Sequence, residues 1–505
     1  MALRIILLTL TLLLLTIQSW VAATIPTCRS ARLFGSHMVL QRDVAATLWG
    51  FASVGTVVNV TVAGTSRGGV TDETGVWRIP LPARPATPLG VDDGEVLAFS
   101  CSDGGSFQLT DVLWGDVLLA SGQSNMCFNV PQAFNGSAEV IASGAFPRVR
   151  VMTADHTHAD TPAQDLGGLL QPWARASPSS IGGDGNFTFT SAVGFFTARD
   201  LYEAQGGSVP IGLAVACVSG TALASWSSPA ALARCPSVPV PGGASPSVLY
   251  NGIIHPFLVG PLALRGVLWY QGENDADNWV WYACGFPAFV ADVRSGLGAP
   301  ALPWAFVLLS AWVKSGTGDN LDHLPRTRLA QLAALGAPNV SCAPAYDLGD
   351  VASPWPGHPR GKQPVAARLA AALSVGAGAP AYASSAPAAA PSGALAVRVS
   401  LGGARAGGLL LRPQPDCPAG VPPGMCEGFS LQTSDGAWHP AQAALTPQGD
   451  ALLLSVSGTG TLAANATRAM FANWPLASLY NEARFPVLPW LEGVGVARKR
   501  WPGGT

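Results

Sequence analysis

Charge is scarce in this chain. Of its 505 residues only 11% are Asp, Glu, Lys or Arg, and 28 basic against 30 acidic side chains leave a net charge of -2. Such a balance supplies no basic surface for nucleic acid or an anionic membrane, so neither partner is expected. No Cys-x-x-Cys occurs and the seven histidines form no cluster. The usual zinc spacings are therefore missing, and no metal or other cofactor is expected. Beyond residue 23 the uncharged stretches, such as Pro236 to Leu264, are broken by Pro and Gly and do not read as membrane spans.

Turn-forming residues are plentiful instead, with 58 Gly and 42 Pro, and the length suggests two to four domains. Residues 1–23 carry Arg4, an apolar stretch from Ile5 to Ile17 and the small residues Val21-Ala22-Ala23. That is the form of a cleaved secretory signal, with an uncleaved anchor as the alternative, and no stable membrane insertion is expected after cleavage. Nine cysteines would pair in an oxidising compartment with at least one left over, and Cys417 with Cys426 is the expected local disulfide. Sequons at Asn59, Asn135, Asn186, Asn339 and Asn465 fit a secreted glycoprotein bound for the extracellular space or a lysosome- or vacuole-like organelle.

Three textures follow one another. Residues 24–110 show short β-type runs with turn residues between them, which predicts a sandwich or jelly-roll module. Residues 111–375 alternate buried-strand runs (Val117 to Ala120, Ile211 to Cys217, Gly266 to Tyr270, Trp304 to Leu309, Val340 to Tyr346) with helical segments (Ala192 to Gln205, Phe286 to Leu297, Arg326 to Leu335, Gln363 to Leu373). This predicts an α/β domain with a parallel sheet covered on both faces. Residues 376–395 read as an Ala/Pro-rich linker or loop, and 396–505 as a C-terminal β module.

Ligands of open α/β sheets bind beyond the carboxyl ends of the strands. Four loops there carry chemistry. Ser124, in Gly122-Gln123-Ser124-Asn125-Met126, leaves the first strand, and Met126 in place of a second glycine excludes the Gly-x-Ser-x-Gly elbow. Gly220 follows the second strand, where a glycine lets a backbone N–H approach a substrate oxygen. Asn274, in Gln271-Gly272-Glu273-Asn274, offers a side-chain amide to the same oxygen. His358 follows the last strand and is suited to take the Ser124 proton. Each alone reads equally as a cap, a turn or a surface residue; nucleophile, glycine, asparagine and histidine in that order are the blocks of an SGNH-type hydrolase.

With those blocks the chain resembles the sialate O-acetylesterase family. The resembling segments are His37 to Arg42, Asp116 to Met126, Ser191 to Gly194, Ala224 to Trp226, Leu249 to Pro256, Trp269 to Asn274, His358 to Gln363 and Leu479 to Asn481. The resemblance implies an SGNH-hydrolase-like three-layer domain between N- and C-terminal β modules. It implies a serine esterase that frees acetate from O-acetylated sialic acids or related sugars without a metal, on a small-molecule or oligosaccharide substrate. Carried over residue by residue, Ser124 is the nucleophile and His358 the base. Gly220 and Asn274 join the Ser124 amide in the oxyanion hole, and Gln123 and Gln271 line the pocket. Many SGNH enzymes place an aspartate three residues before the histidine, where this chain has Trp355. Asp350 is the expected acid, with Asp347 on the same loop and a Ser-His dyad oriented by a carbonyl as alternatives. An esterase of plant or algal polysaccharide such as acetylxylan, and a non-catalytic glycan-binding protein, are the competing functions.

Overall fold

The structure, a computed structural model, describes residues 28–90, 94–236, 245–313, 322–389, 394–402, 408–422, 424–459 and 462–496. The signal segment expected at 1–23 lies outside the described residues. Among them, no helix is long and apolar enough to cross a membrane.

The N-terminal β layer holds Arg29–Ser30 (β1), Val39–Gln41 (β2), Ala46–Phe51 (β3), Val57–Val62 (β4), Thr65–Val70 (β5), Val76–Leu81 (β6) and Glu95–Cys101 (β7). The next strand, Ser106–Gly122 (β8), changes character along its length. Its first residues alternate exposed and covered and pair antiparallel with β7; from Asp111 onward every residue is buried. Alternation marks a sheet with one wet face, whereas continuous burial marks a central parallel strand. The domain boundary expected at 110/111 thus falls inside one strand that belongs to both layers.

Val149–Ala154 (β9), Leu169–Arg175 (β10), Ile211–Cys217 (β11), Gly266–Tyr270 (β12), Trp304–Leu308 (β13) and Val340–Pro344 (β14) complete the central sheet in the order β10-β9-β11-β8-β12-β13-β14. All its pairings are parallel except β9 with β10. Successive residues feed opposite cores: Leu118, Ala120, Leu268 and Tyr270 enter one, Leu119, Val267 and Trp269 the other. Helices Ala192–Ala204 (α2) and Lys362–Val375 (α5) pack together on one face, and Trp279–Gly296 (α3) with His323–Gln331 (α4) on the other. The predicted α/β class and three-layer arrangement are therefore present. α3 begins seven residues before the expected Phe286 and carries Pro287 in its interior.

Several strands escaped the sequence reading, β5, β9, β10 and Ala381–Pro387 among them. β9 contains Arg150, which interrupts the apolar run, yet its guanidinium is buried because it reaches both oxygens of Asp111 at 2.5 and 3.1 Å. Ala381–Pro387, inside the expected linker, pairs antiparallel with Ala394–Gly402 and buries Tyr382. The C-terminal β module docks onto the α/β domain through Arg328, which is fully buried. Its guanidinium donates to the carbonyls of Leu309 and Ser310 on one side and of Ala472 and Asn473 on the other.

Candidate active site

Three central strands end at one level, since Gly122 pairs with Cys217 on one side and with Tyr270 on the other. The turns that follow them leave the sheet side by side. Gly122 has φ +138°, and a Cβ there would lie 2.1 Å from the Tyr270 carbonyl oxygen, so only glycine lets the chain turn out of the sheet at this point. Gln123 is extended, and Ser124–Cys127 then form one helical turn (α1) whose first N–H groups have no partner within the helix.

Ser124 Oγ lies 2.7 Å from His358 Nε2, although the two residues are 234 apart in the chain. The other ring nitrogen, Nδ1, donates to the Pro356 carbonyl oxygen at 2.8 Å. A carbonyl can only accept, so the proton sits on Nδ1 and leaves Nε2 free to receive the Ser124 proton. Burial holds the His358 pKa below its ordinary value, and the nearby Lys362 ammonium adds to the effect. The ring is backed edge-on by Phe187 at 5.1 Å. Trp355, three residues before His358, packs on Phe128 and Phe187.

Asp350 does not orient the histidine, which corrects the sequence expectation. Its carboxylate accepts from Arg360 Nε at 2.7 Å, Arg360 Nη2 at 3.1 Å and the Arg360 amide at 3.2 Å. Those bonds hold its carboxyl below the usual range. Proximity in sequence misled here, because Arg360 on the same loop competes for the acid. Asp347 is likewise engaged by both terminal nitrogens of Arg368 at 2.7 Å.

Gly220 and Asn274 are both exposed, on the turns that follow β11 and β12, the strands paired in parallel with β8 on its two sides. Gly220 takes φ +70°, with open space where a Cβ would be. Gln123 is buried, and its Oε1 accepts from the amides of Gly272 and Asn274 at 3.5 and 3.3 Å, so it shapes the Asn274 turn. Gln271 departs from the expected pocket role. It is fully buried, and its Nε2 donates to the Thr221 carbonyl at 3.0 Å and to Asp275 Oδ2 at 2.5 Å. Asp275 Oδ2 also accepts from the Leu223 amide at 2.9 Å, tying the Gly220 and Asn274 turns together. Burial raises the Asp275 pKa to about 6.

Several groups that fasten these loops had no part in the sequence reading. The Cys127–Cys217 disulfide joins α1 to the end of β11. Asn125 Nδ2 donates to Glu273 Oε1 at 2.6 Å and to the Gly357 carbonyl at 3.0 Å, while Lys362 Nζ donates to Asn125 Oδ1 at 2.6 Å. A signal existed: Lys362 is one of only three lysines in the chain. The expected Cys417–Cys426 pair is present, with Cys28–Cys101 and Cys235–Cys284, and Cys342 is free and buried.

A cavity of about 620 Å³ opens beside His358, walled by Trp312, Val351 and Pro356 from the α/β domain and by Val421, Met425 and Trp474 from the C-terminal module. The Cys417–Cys426 disulfide closes the loop that supplies Val421.

The family model described as carbohydrate esterase, sialic acid-specific acetylesterase, matches residues 115–354, which hold the Ser124, Gly220 and Asn274 turns. The sialate O-acetylesterase of Rattus norvegicus is 34% identical over 399 residues, 68% of this chain and 72% of that protein. The chain belongs to the sialate O-acetylesterase family. The Homo sapiens member is 35% identical over 374 residues, covering 68% of this chain and 69% of that one. A solved carbohydrate acetylesterase from Xanthomonas citri superposes with a TM-score of 0.75 at 28% identity, over 92% of this chain and 99% of its own. As a member of the family, the protein is a carboxylic ester hydrolase.

Proposed function

We propose that the protein removes O-acetyl groups from sialic acids or related sugars, using Ser124 and His358 as a catalytic dyad. The observation that carries this reading is the 2.7 Å contact between Ser124 Oγ and His358 Nε2, in a tautomer fixed by the Pro356 carbonyl. Ser124 Oγ attacks the acetyl carbonyl as its proton passes to Nε2. Negative charge then grows on the carbonyl oxygen, and the amides of Ser124 and Gly220 and the side chain of Asn274 stabilise it. His358 returns the proton to the departing sugar hydroxyl, leaving an acetylated Ser124. A water, deprotonated by the same nitrogen, then releases acetate and restores the serine. The Pro356 carbonyl does the orienting work that an aspartate does in a triad.

The names of the rat and human relatives support a sialic acid substrate. A second reading is a neutral acetylated polysaccharide, with which the near full-length likeness to the Xanthomonas carbohydrate acetylesterase is equally compatible. The cavity wall is what favours it: among the described residues that line it there is no Lys or Arg to meet a sialic acid carboxylate. Four disulfides and the exposed asparagines of four sequons (Asn135, Asn186, Asn339, Asn465) support passage through the secretory pathway as a glycoprotein. Acetate release from O-acetylated sialosides and from acetylxylan, by wild type and Ser124→Ala in parallel, tests the assignment. Release abolished by Ser124→Ala is expected, with the preferred substrate separating the two readings; turnover kept by Ser124→Ala would sink both.

A further inference from the structure

Lys362 opens α5 with its side chain fully buried, on the inner side of the loops that carry Ser124, Asn274 and His358. Burying an ammonium is costly unless it is well paired, and an apolar side chain would fill the same space without that penalty. Its neighbours are arranged to hold a cation. Nζ donates to Asn125 Oδ1 at 2.6 Å and stands over the Phe128 and Tyr270 rings at 4.5 and 5.4 Å. Glu273 adds a carboxylate that reaches Lys362 through the same Asn125 amide.

Asn125 is the junction. It follows the nucleophile directly, and it is bonded to the residue before Asn274 (Glu273), to the residue before His358 (Gly357) and to Lys362. We propose that Lys362 and Asn125, with Glu273, form a positioning unit that fixes the nucleophile, asparagine and histidine loops in mutual register for catalysis. The inference rests on the Ser124-His358 reading above, and none of the three side chains needs to touch substrate.

Electrostatics support the assignment. The ammonium beneath His358 favours the neutral imidazole, which is the form that accepts the serine proton. Burial pushes the Lys362 pKa down to about 7, while Glu273 and Asp350 work to keep its charge. The other titratable or charged groups around the unit are Tyr270 below it, Asp275 next to Glu273, and Arg360, which is paired to Asp350.

Two substitutions separate the contributions. Lys362→Gln removes the charge but keeps a donor for Asn125, and Lys362→Met removes both. In acetyl ester hydrolysis by the full chain, both should move the acid limb of kcat/KM to higher pH. Lys362→Met should lower kcat at least tenfold more than Lys362→Gln, with KM nearly unchanged. Asn125→Ala keeps the lysine but cuts the junction, and it should lower kcat at least tenfold; it decides the question if the lysine variants fail to fold. Wild-type kcat and pH profile in the folded lysine variants, or wild-type kcat in Asn125→Ala, would overturn the proposal. So would activity that merely tracks the folded fraction with an unmoved acid limb. An inactive wild type, or an active Ser124→Ala, would instead strike the functional reading on which the proposal depends.

Discussion

Replacing Asp350 by asparagine asks directly whether this esterase runs on a dyad. A triad acid that both fixes the histidine tautomer and balances the imidazolium is worth about 10⁴ in kcat when its carboxylate is lost. Here the His358 Nδ1 proton is already held by the Pro356 carbonyl, and Asp350 spends three acceptor contacts on Arg360. Asparagine of the same shape can still accept one of those bonds. The loss is then a charge-assisted pair, worth about 1.5 to 3 kcal/mol where enclosed but less with a partly exposed partner. Asp350 is 9% exposed and Arg360 29%, so solvent screens the pair and its loss should read as no more than a small fall in Tm. Loop slackening should keep the fall in kcat within about tenfold, far short of the triad penalty. The assay is acetate release at saturating substrate, with a thermal melt to establish the folded fraction. A fall of a thousandfold or more in fully folded Asp350→Asn would refute the reasoning and return Asp350 to a catalytic role.

Three further outcomes follow from the same geometry. His358 is active when neutral and its pKa is lowered, so the acid limb of kcat/KM should lie below the ordinary imidazole value of about 6.5; a midpoint above that value would contradict the burial argument. Asn274→Ala should cost about 10² to 10³ in kcat with little change in melting temperature, and a loss under threefold would remove Asn274 from the oxyanion hole. Gly122→Ala sets a methyl against the Tyr270 carbonyl at a positive φ, so it should destabilise the fold by about 3 to 5 kcal/mol, read as a lowered Tm; an unchanged Tm would show that the turn has room.

What the sequence made legible depended on how each element is buried. Ile211–Cys217 and Gly266–Tyr270 matched their expected limits because both faces of a central parallel strand are covered, which leaves an unbroken apolar run. β9 broke that pattern with Arg150, and the compensating Asp111 lies on another strand, beyond the reach of any local reading. Ala381–Pro387 hid behind small residues whose strand character comes from pairing with Ala394–Gly402.

The site divides in the same way. Ser124 and His358 were legible as a pair because each follows a strand of one sheet, so chain order carried spatial information; Gly220 and Asn274 follow strands of the same sheet, and their place in the oxyanion hole is part of the proposal. Asp350 and Gln271 were misread because sequence fixes which loop a residue belongs to, not where its side chain turns. One is claimed by Arg360 and the other faces Thr221 and Asp275 under the site. The Lys362-Asn125-Glu273 unit needed three distant loops brought together before its chemistry was visible.

The most direct test of the central claim is covalent labelling of the full chain with a serine-directed phosphonate, read by peptide mass spectrometry alongside residual esterase activity. The account predicts one adduct per chain, on Ser124, rising in step with loss of activity and forming far more slowly in His358→Ala. An adduct on another residue, or full activity with Ser124 modified, would contradict it.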